Sequence, residues 1–258
     1  MNQPFVVFGT GTTMIESQRL LQLLGIPSFA DAYTPIVNLI PKDRRTLVFL
    51  KRIGGCGGLE GNYLAQAAIW DRLFEEHGPL FFVHHSQPTV LGVIWMMRNP
   101  EKVAGVINLA GVFDGTESWV RELGERLHIP CAKDFLPGSP FMVEFEKEYG
   151  VYRQTTNRPL VYNVAPRGDW VATHYRTCTL PTDEYTFNYV FAREEPQDCP
   201  GATWVPTKRD PGHFSILESG KLKRLILEAL TGKVPEPGLP VIALPTANQS
   251  DQNVALAA

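Results

Sequence analysis

Short apolar runs rich in β-branched and aromatic residues recur along the chain at 5–8, 46–50, 80–83, 103–109, 160–164 and 203–205. Runs of this length and composition predict strands. They are nearly continuous in apolar character rather than alternating, which fits a parallel sheet covered on both faces. Helix-like periodicity at 14–24, 62–76, 87–97 and 215–230 falls between them. Alternation of strand and helix predicts a doubly wound, mostly parallel α/β sheet with right-handed crossovers. In such sheets ligands bind outside the C-terminal ends of the strands, so the chemistry is to be sought in the loops that follow them.

One stretch breaks the alternation. Residues 112–158 carry two further helical patterns, at 116–128 and 141–149, joined by turns that contain Pro and Gly. They are read as a helical cap over the site, with a long ordinary crossover as the alternative. The core then comprises 1–111 and 159–233, and the Pro-rich, polar tail 234–258 is expected to be extended or mobile.

Composition narrows the function classes. A chain of 258 residues with 44% hydrophobic residues can bury the core of one α/β domain. Its 24 Lys plus Arg against 27 Asp plus Glu give no summed field to attract nucleic acid, and no apolar run is long enough to span a membrane. The opening Met-Asn-Gln-Pro-Phe-Val-Val-Phe lacks the regions of a secretory signal, so a cytoplasmic protein is expected. Four cysteines without Cys-x-x-Cys or His-x-x-x-His spacing suggest no metal site. Cys178 and Cys199 can bridge one loop, but free thiols are the favoured reading.

The sharpest local signal is Phe81-Phe82-Val83-His84-His85-Ser86-Gln87-Pro88-Thr89-Val90-Leu91, an apolar strand that ends at a serine where an apolar helix begins at once. A serine on such a turn projects its hydroxyl above the sheet, and the helix N-terminus aims its positive dipole at the reacting oxygen. Val83-His84-His85-Ser86-Gln87, followed by Arg98-Asn99-Pro100-Glu101-Lys102-Val103, resembles the esterases and lipases of the α/β-hydrolase superfamily, whose members often read Gly-His-Ser-Gln-Gly and then Pro-Glu-Lys-Val. The resemblance implies that Ser86 is a nucleophile. Two positions depart from it, because the superfamily places small residues where this chain has His84 and Pro88. Pro88 can be accommodated early in a helix, where no N–H is needed. His84 either packs into the sheet or extends into the site as a substrate-binding group.

A serine nucleophile needs a base that is distant in sequence and near in space. His213 stands in Asp210-Pro211-Gly212-His213-Phe214-Ser215, between the last strand and the last helix, where the superfamily carries its catalytic histidine. For the acid, Ala165-Pro166-Arg167-Gly168-Asp169-Trp170 after the strand at 160–164 is similar to the superfamily's acid turn, which makes Asp169 the choice and Asp114 the competitor. The order Ser86, Asp169, His213 agrees with this fold. The backbone N–H of Gln87 and that of Thr10 are assigned to the oxyanion hole. Thr10 is chosen because Gly9-Thr10-Gly11-Thr12-Thr13 resembles a fungal lipase loop.

The rival for that loop, a dinucleotide-binding turn, lacks its third glycine because Met14 stands there, and no acidic residue ends a second strand at the expected distance. Gly54-Gly55-Cys56-Gly57-Gly58 lacks the Lys and Ser/Thr of a P-loop and reads as a site wall or as flexible backbone. The expected function is thus cofactor-free cleavage of an ester or lactone in a hydrophobic small molecule, lined by Trp119, Phe135, Phe141, Met142 and Phe145 of the cap. Lyase or isomerase chemistry by the same triad, and a non-catalytic hydrolase fold that binds a small molecule, are the alternatives.

Overall fold

The computed structural model describes residues 3–10, 29–49, 58–119, 122, 130–172, 174–232 and 234. Within them one sheet contains β1 (Phe5–Thr10), β2 (Arg45–Phe49), β3 (Leu80–His85), β4 (Val103–Leu109), β5 (Val161–Pro166), β6 (Thr186–Ala192) and β7 (Thr203–Pro206). Every neighbouring pair is parallel, in the order β2-β1-β3-β4-β5-β6-β7. The chain moves outward from β1 to β2 and then resumes on the other side at β3. That reversal is the switch point of a doubly wound sheet, and it sets the ends of β1 and β3 side by side.

Five α-helices are described: α1 (Phe29–Val37), α2 (Gly58–His77), α3 (Gln87–Arg98), α4 (Pro140–Tyr152) and α5 (Gly220–Ala229). Side-chain alternation along the strands divides the core in two. Val7, Leu80, Phe82, Val106 and Val161 pack with Trp70, Val93, Trp95 and Phe145 on the face covered by α2, α3 and α4. Val6, Phe8, Phe81, Val83, Ile107 and Tyr162 pack with Tyr33, Ile36, Leu222 and Ile226 on the face covered by α1 and α5. Each large side chain buried in this way contributes roughly 1.5–3 kcal/mol.

The expected strands are all present, with ends displaced by up to two residues among the described positions. Two elements were not expected. β6 reads Thr-Phe-Asn-Tyr-Val-Phe-Ala, and its polar Thr186 and Asn188 interrupt the apolar run although both are buried. α1 contains Pro35, which forfeits one intrahelical hydrogen bond and speaks against a helix in sequence. The single helix expected at 215–230 is a 3₁₀ turn, Ser215–Glu218, and then α5, because Ser219 caps a fresh start by accepting from the Leu222 N–H. The helix expected at 14–24 lies outside the described residues, as does most of the one at 116–128.

The pattern at 141–149 falls within α4, which Ser139 caps. Met142, Phe145 and Tyr149 are buried in the same cluster as the α3 residues Val93 and Ile94, the position of a crossover helix between β4 and β5. No described helix is long and apolar enough to cross a membrane.

A polar row runs through this apolar face. His84, Asn108, Asn163 and Asn188 are register neighbours on β3, β4, β5 and β6. Asn108 Nδ2 donates to Asn163 Oδ1 at 3.0 Å, Asn163 Nδ2 donates to Asn188 Oδ1 at 2.8 Å, and Asn188 Nδ2 ends the chain on the Leu180 carbonyl at 2.6 Å. Matched register thus links three buried amides side chain to side chain across the sheet.

His84 itself is fully buried, stacked on Trp70 with ring centroids 5.4 Å apart. Two glycines make the room. A Cβ on Gly9 would stand 2.5 Å from His84 Cδ2, and one on Gly92 would stand 2.5 Å from Cε1. The bulk absent from β1 and α3 is therefore taken up by the imidazole two residues before the turn serine. Gly92→Ala is expected to destabilise the fold by about 1–3 kcal/mol through overpacking, despite alanine's higher helix propensity of about 1 kcal/mol. In a His84→Ala background the same change should be neutral or stabilising. Urea midpoints of the four proteins in this cycle measure it, and an equal Gly92→Ala cost in both backgrounds would refute the steric account.

Candidate active site

The turn between β3 and α3 is built around Ser86, which holds φ 63° and ψ −131°. A non-glycine residue in positive φ costs on the order of 1–3 kcal/mol and persists only where its surroundings enforce it. Here the Ser86 N–H donates to the Leu109 carbonyl at 2.9 Å. The Ser86 carbonyl accepts from the Thr89 N–H at 3.1 Å and from Thr89 Oγ1 at 2.6 Å. On the Ser86 side these bonds use only its backbone, and its side-chain hydroxyl has no hydrogen-bond partner among the described residues. Pro88 sits in the first turn of α3, where a missing N–H costs nothing.

His213 and Asp169 form the second half of the site. His213 Nδ1 lies 2.8 Å from Asp169 Oδ2, and both side chains are almost wholly withdrawn from solvent. Asp169 Oδ1 accepts from the N–H groups of Val171 at 2.8 Å and Ala172 at 3.2 Å. Burial pushes the Asp169 carboxyl up, but the facing His213 imidazole and the two N–H donors outweigh it and hold the carboxyl below its ordinary value. The Cys178 thiol also donates to Oδ2, at 3.8 Å, and its own pKa is raised well above the thiol range by burial and by that carboxylate. Among the described cysteines, Cys178 and Cys199 are both free.

The loops that carry Asp169 and His213 are tied to each other. The Gly168 N–H donates to the Pro211 carbonyl at 2.9 Å, and a Cβ at Gly168 would stand 3.0 Å from that oxygen, a close approach that glycine makes without crowding. The His213 loop is held further by the Gly212 N–H to Ser215 Oγ at 2.9 Å and by Asp210, which accepts from the Arg193 N–H at 2.7 Å. His213 stands over the end of β3, its ring centroid 4.6 Å from that of His85, the neighbour of Ser86.

The fold therefore brings Ser86, Asp169 and His213 to one end of the sheet, with Thr10 ending β1 beside β3 and Gln87 opening α3. Asp114, the competing acid, is exposed and lines a cleft of about 860 Å³ between α4 and 174–200. Met142 and Phe145 border that cleft and the core, and Phe141 lines a separate groove with Tyr63, Leu64 and Ile94, so neither cavity includes the serine, the histidine or Asp169. Phe135 is likewise buried in the core. The sequence predicts these residues lining the substrate site, and His84 either joining them or packing into the sheet. In the structure the apolar side of α4 covers the sheet, and the imidazole of His84 fills the Gly9–Gly92 slot.

Trp119 differs from them. It stacks on Trp170 with centroids 5.2 Å apart, and the pair is 38% and 47% exposed, beside Asp169 and against Gly212. Sequence reasoning missed Trp170, although its place next to the acid was a usable signal.

No family model matches this chain, and no curated protein matches it. Solved structures do resemble it. The lipase BlEst2 of Bacillus licheniformis in its mature form aligns with a TM-score of 0.57 at 14% identity, covering 88% of this chain and 92% of that one. Aspergillus fumigatus lipase B aligns with a TM-score of 0.58 at 11% identity, covering 89% and 53%. A structure from work on LipS and LipT, two metagenome-derived lipolytic enzymes, aligns with a TM-score of 0.51 at 12% identity, covering 90% and 95%. Likeness at such identity is a likeness of fold. The chain has the α/β-hydrolase fold.

Proposed function

We propose that this protein is a serine hydrolase that cleaves an ester or lactone of a hydrophobic small molecule through an acyl-enzyme. The single observation that carries the reading is the strained Ser86 turn at the sheet end where a buried Asp169–His213 pair also stands. In the first step His213 Nε2 takes the Ser86 proton as Oγ bonds to the substrate carbonyl carbon. The negative charge moves to the carbonyl oxygen, which the backbone N–H groups of Gln87 and Thr10 receive. His213 then returns the proton to the departing alcohol oxygen, and an acyl-serine remains. Water, deprotonated by His213, attacks that ester, and Ser86 regains its proton as the acid leaves. Asp169 keeps the His213 proton on Nδ1 and stabilises the imidazolium. The exposed Trp119–Trp170 stack supplies an apolar edge beside the base, which favours apolar substrates over sugars.

A fluorophosphonate probe and a panel of p-nitrophenyl esters test the reading together. The wild-type chain should take up one probe per molecule and hydrolyse at least the shorter esters, while Ser86→Ala should take up none and lose about 10⁴-fold or more of kcat. Labelling that survives Ser86→Ala, or a wild type that neither labels nor hydrolyses, would overturn it.

A further inference from the structure

His85 is the residue before the turn serine, and no step of the reaction above uses it. On β3 its side chain points to the face opposite His84, toward α1 and the His213 loop. It is buried to 1% exposure. Tyr33 of α1, equally buried, contacts Nδ1 through its hydroxyl, and Nε2 lies 2.7 Å from the backbone carbonyl of His213. A carbonyl can only accept, so Nε2 carries the proton. Nδ1 of the neutral ring is then the acceptor, and the Tyr33 hydroxyl must be its donor. Both bonds are single-valued, and together they select one tautomer of His85.

The geometry points to His85 as a positioning residue for His213, with Tyr33 holding the tautomer that lets Nε2–H clamp the residue 213 carbonyl. The inference rests on the serine hydrolase reading above. The clamp joins the two halves of the site from below: the strand that ends in Ser86 is bonded through its penultimate side chain to the backbone that carries the base. It thereby fixes the height of the His213 imidazole over the serine, a distance to which proton transfer is steeply sensitive. Burial drives the His85 pKa down to about 3, and the neighbouring His213 adds to the effect. The clamp therefore stays neutral beside a base that must become cationic during turnover, with ring centroids only 4.6 Å apart. Two imidazolium rings so close would oppose each other, whereas the neutral tautomer avoids the conflict.

The test uses three variants of the full chain, Tyr33→Phe, His85→Phe and His85→Gln, with steady-state kinetics on a short p-nitrophenyl ester and ¹⁵N-edited spectra of the His213 side chain. Removing the tyrosine hydroxyl frees His85 to take the other tautomer, so Tyr33→Phe should lower kcat about 10-fold with KM within about twofold. His85→Phe keeps the ring but loses the donor and should lower kcat about 100-fold, a loss in the range expected of a misplaced base. His85→Gln retains an N–H donor and should recover part of that loss. Each variant that folds should also displace the His213 imidazole resonances from their wild-type positions. Wild-type kcat in a folded Tyr33→Phe and His85→Phe, or unmoved His213 resonances, would overturn the positioning role. A wild type without esterase activity would sink the hydrolase reading alone, because the resonances report on the clamp without any substrate.

Discussion

Asp169→Asn is expected to reduce kcat about 10⁴-fold while leaving fold and substrate affinity nearly intact. The reason lies in how the carboxylate is held. Oδ1 accepts two backbone N–H groups, from Val171 and Ala172, so the amide of an introduced asparagine must place its oxygen there. Its NH₂ group then takes the position of Oδ2 and donates to His213 Nδ1. The imidazole is forced to carry its proton on Nε2, facing the serine it should deprotonate, and loses the negative charge that stabilises its cationic form. Asp114→Asn serves as the control, since that side chain is exposed on another cleft and should change kcat less than twofold. The measurement is kcat and KM for both variants on one ester. A kcat within tenfold of wild type for Asp169→Asn, or a large loss for Asp114→Asn, would transfer the acid role away from Asp169.

The second large effect is a loss of stability in mild acid. His84 and His85 are both fully buried, and burial lowers each pKa from about 6.5 to about 3. In the folded chain both rings stay neutral between pH 6.5 and 3, whereas in the unfolded chain both take up a proton as pH falls through 6.5. The unfolded state thus binds more protons in this window, and stability falls with decreasing pH. Each ring contributes up to about 1.4 kcal/mol per pH unit once the unfolded histidine is fully protonated, so the pair removes about 3 kcal/mol between pH 6.5 and 5. That is a large share of a typical domain's stability of about 5–15 kcal/mol. Below pH 3 the two histidine contributions level off, while Asp169, whose pKa is held below its ordinary value in the fold, adds its own loss as pH falls through the carboxylate range. Urea unfolding at pH 7.5, 6 and 5 measures the slope. A curve flat over that range would mean that neither imidazole is buried neutral.

The two histidines also show where sequence reading stops. His84 stood out as a misfit at a position where related turns carry a small residue. What resolves it are two glycines, one on β1 and one on α3, and only strand register and helix packing bring them onto the imidazole. His85 gave no sequence signal at all, because its partners Tyr33 and His213 lie 52 and 128 positions away. The turn motif favours Asp169 over Asp114, and in the structure Nδ1 of His213 faces the Asp169 carboxylate while Asp114 lines a cleft.

By itself the sequence determined what neighbouring residues determine: strands and helices in alternation, and the abrupt change from apolar strand to helix at Ser86. Those features follow from local periodicity and backbone preference, which a short window of residues contains. The tertiary structure alone decided that β6 belongs in the sheet despite its polar positions, since Asn188 finds its partners in Asn163 across the register with β5 and in the Leu180 backbone. It alone decided that the apolar side of α4 serves the core. Burial and hydrogen bonding are properties of what comes to lie opposite a side chain, and packing settles that only when the sheet is assembled.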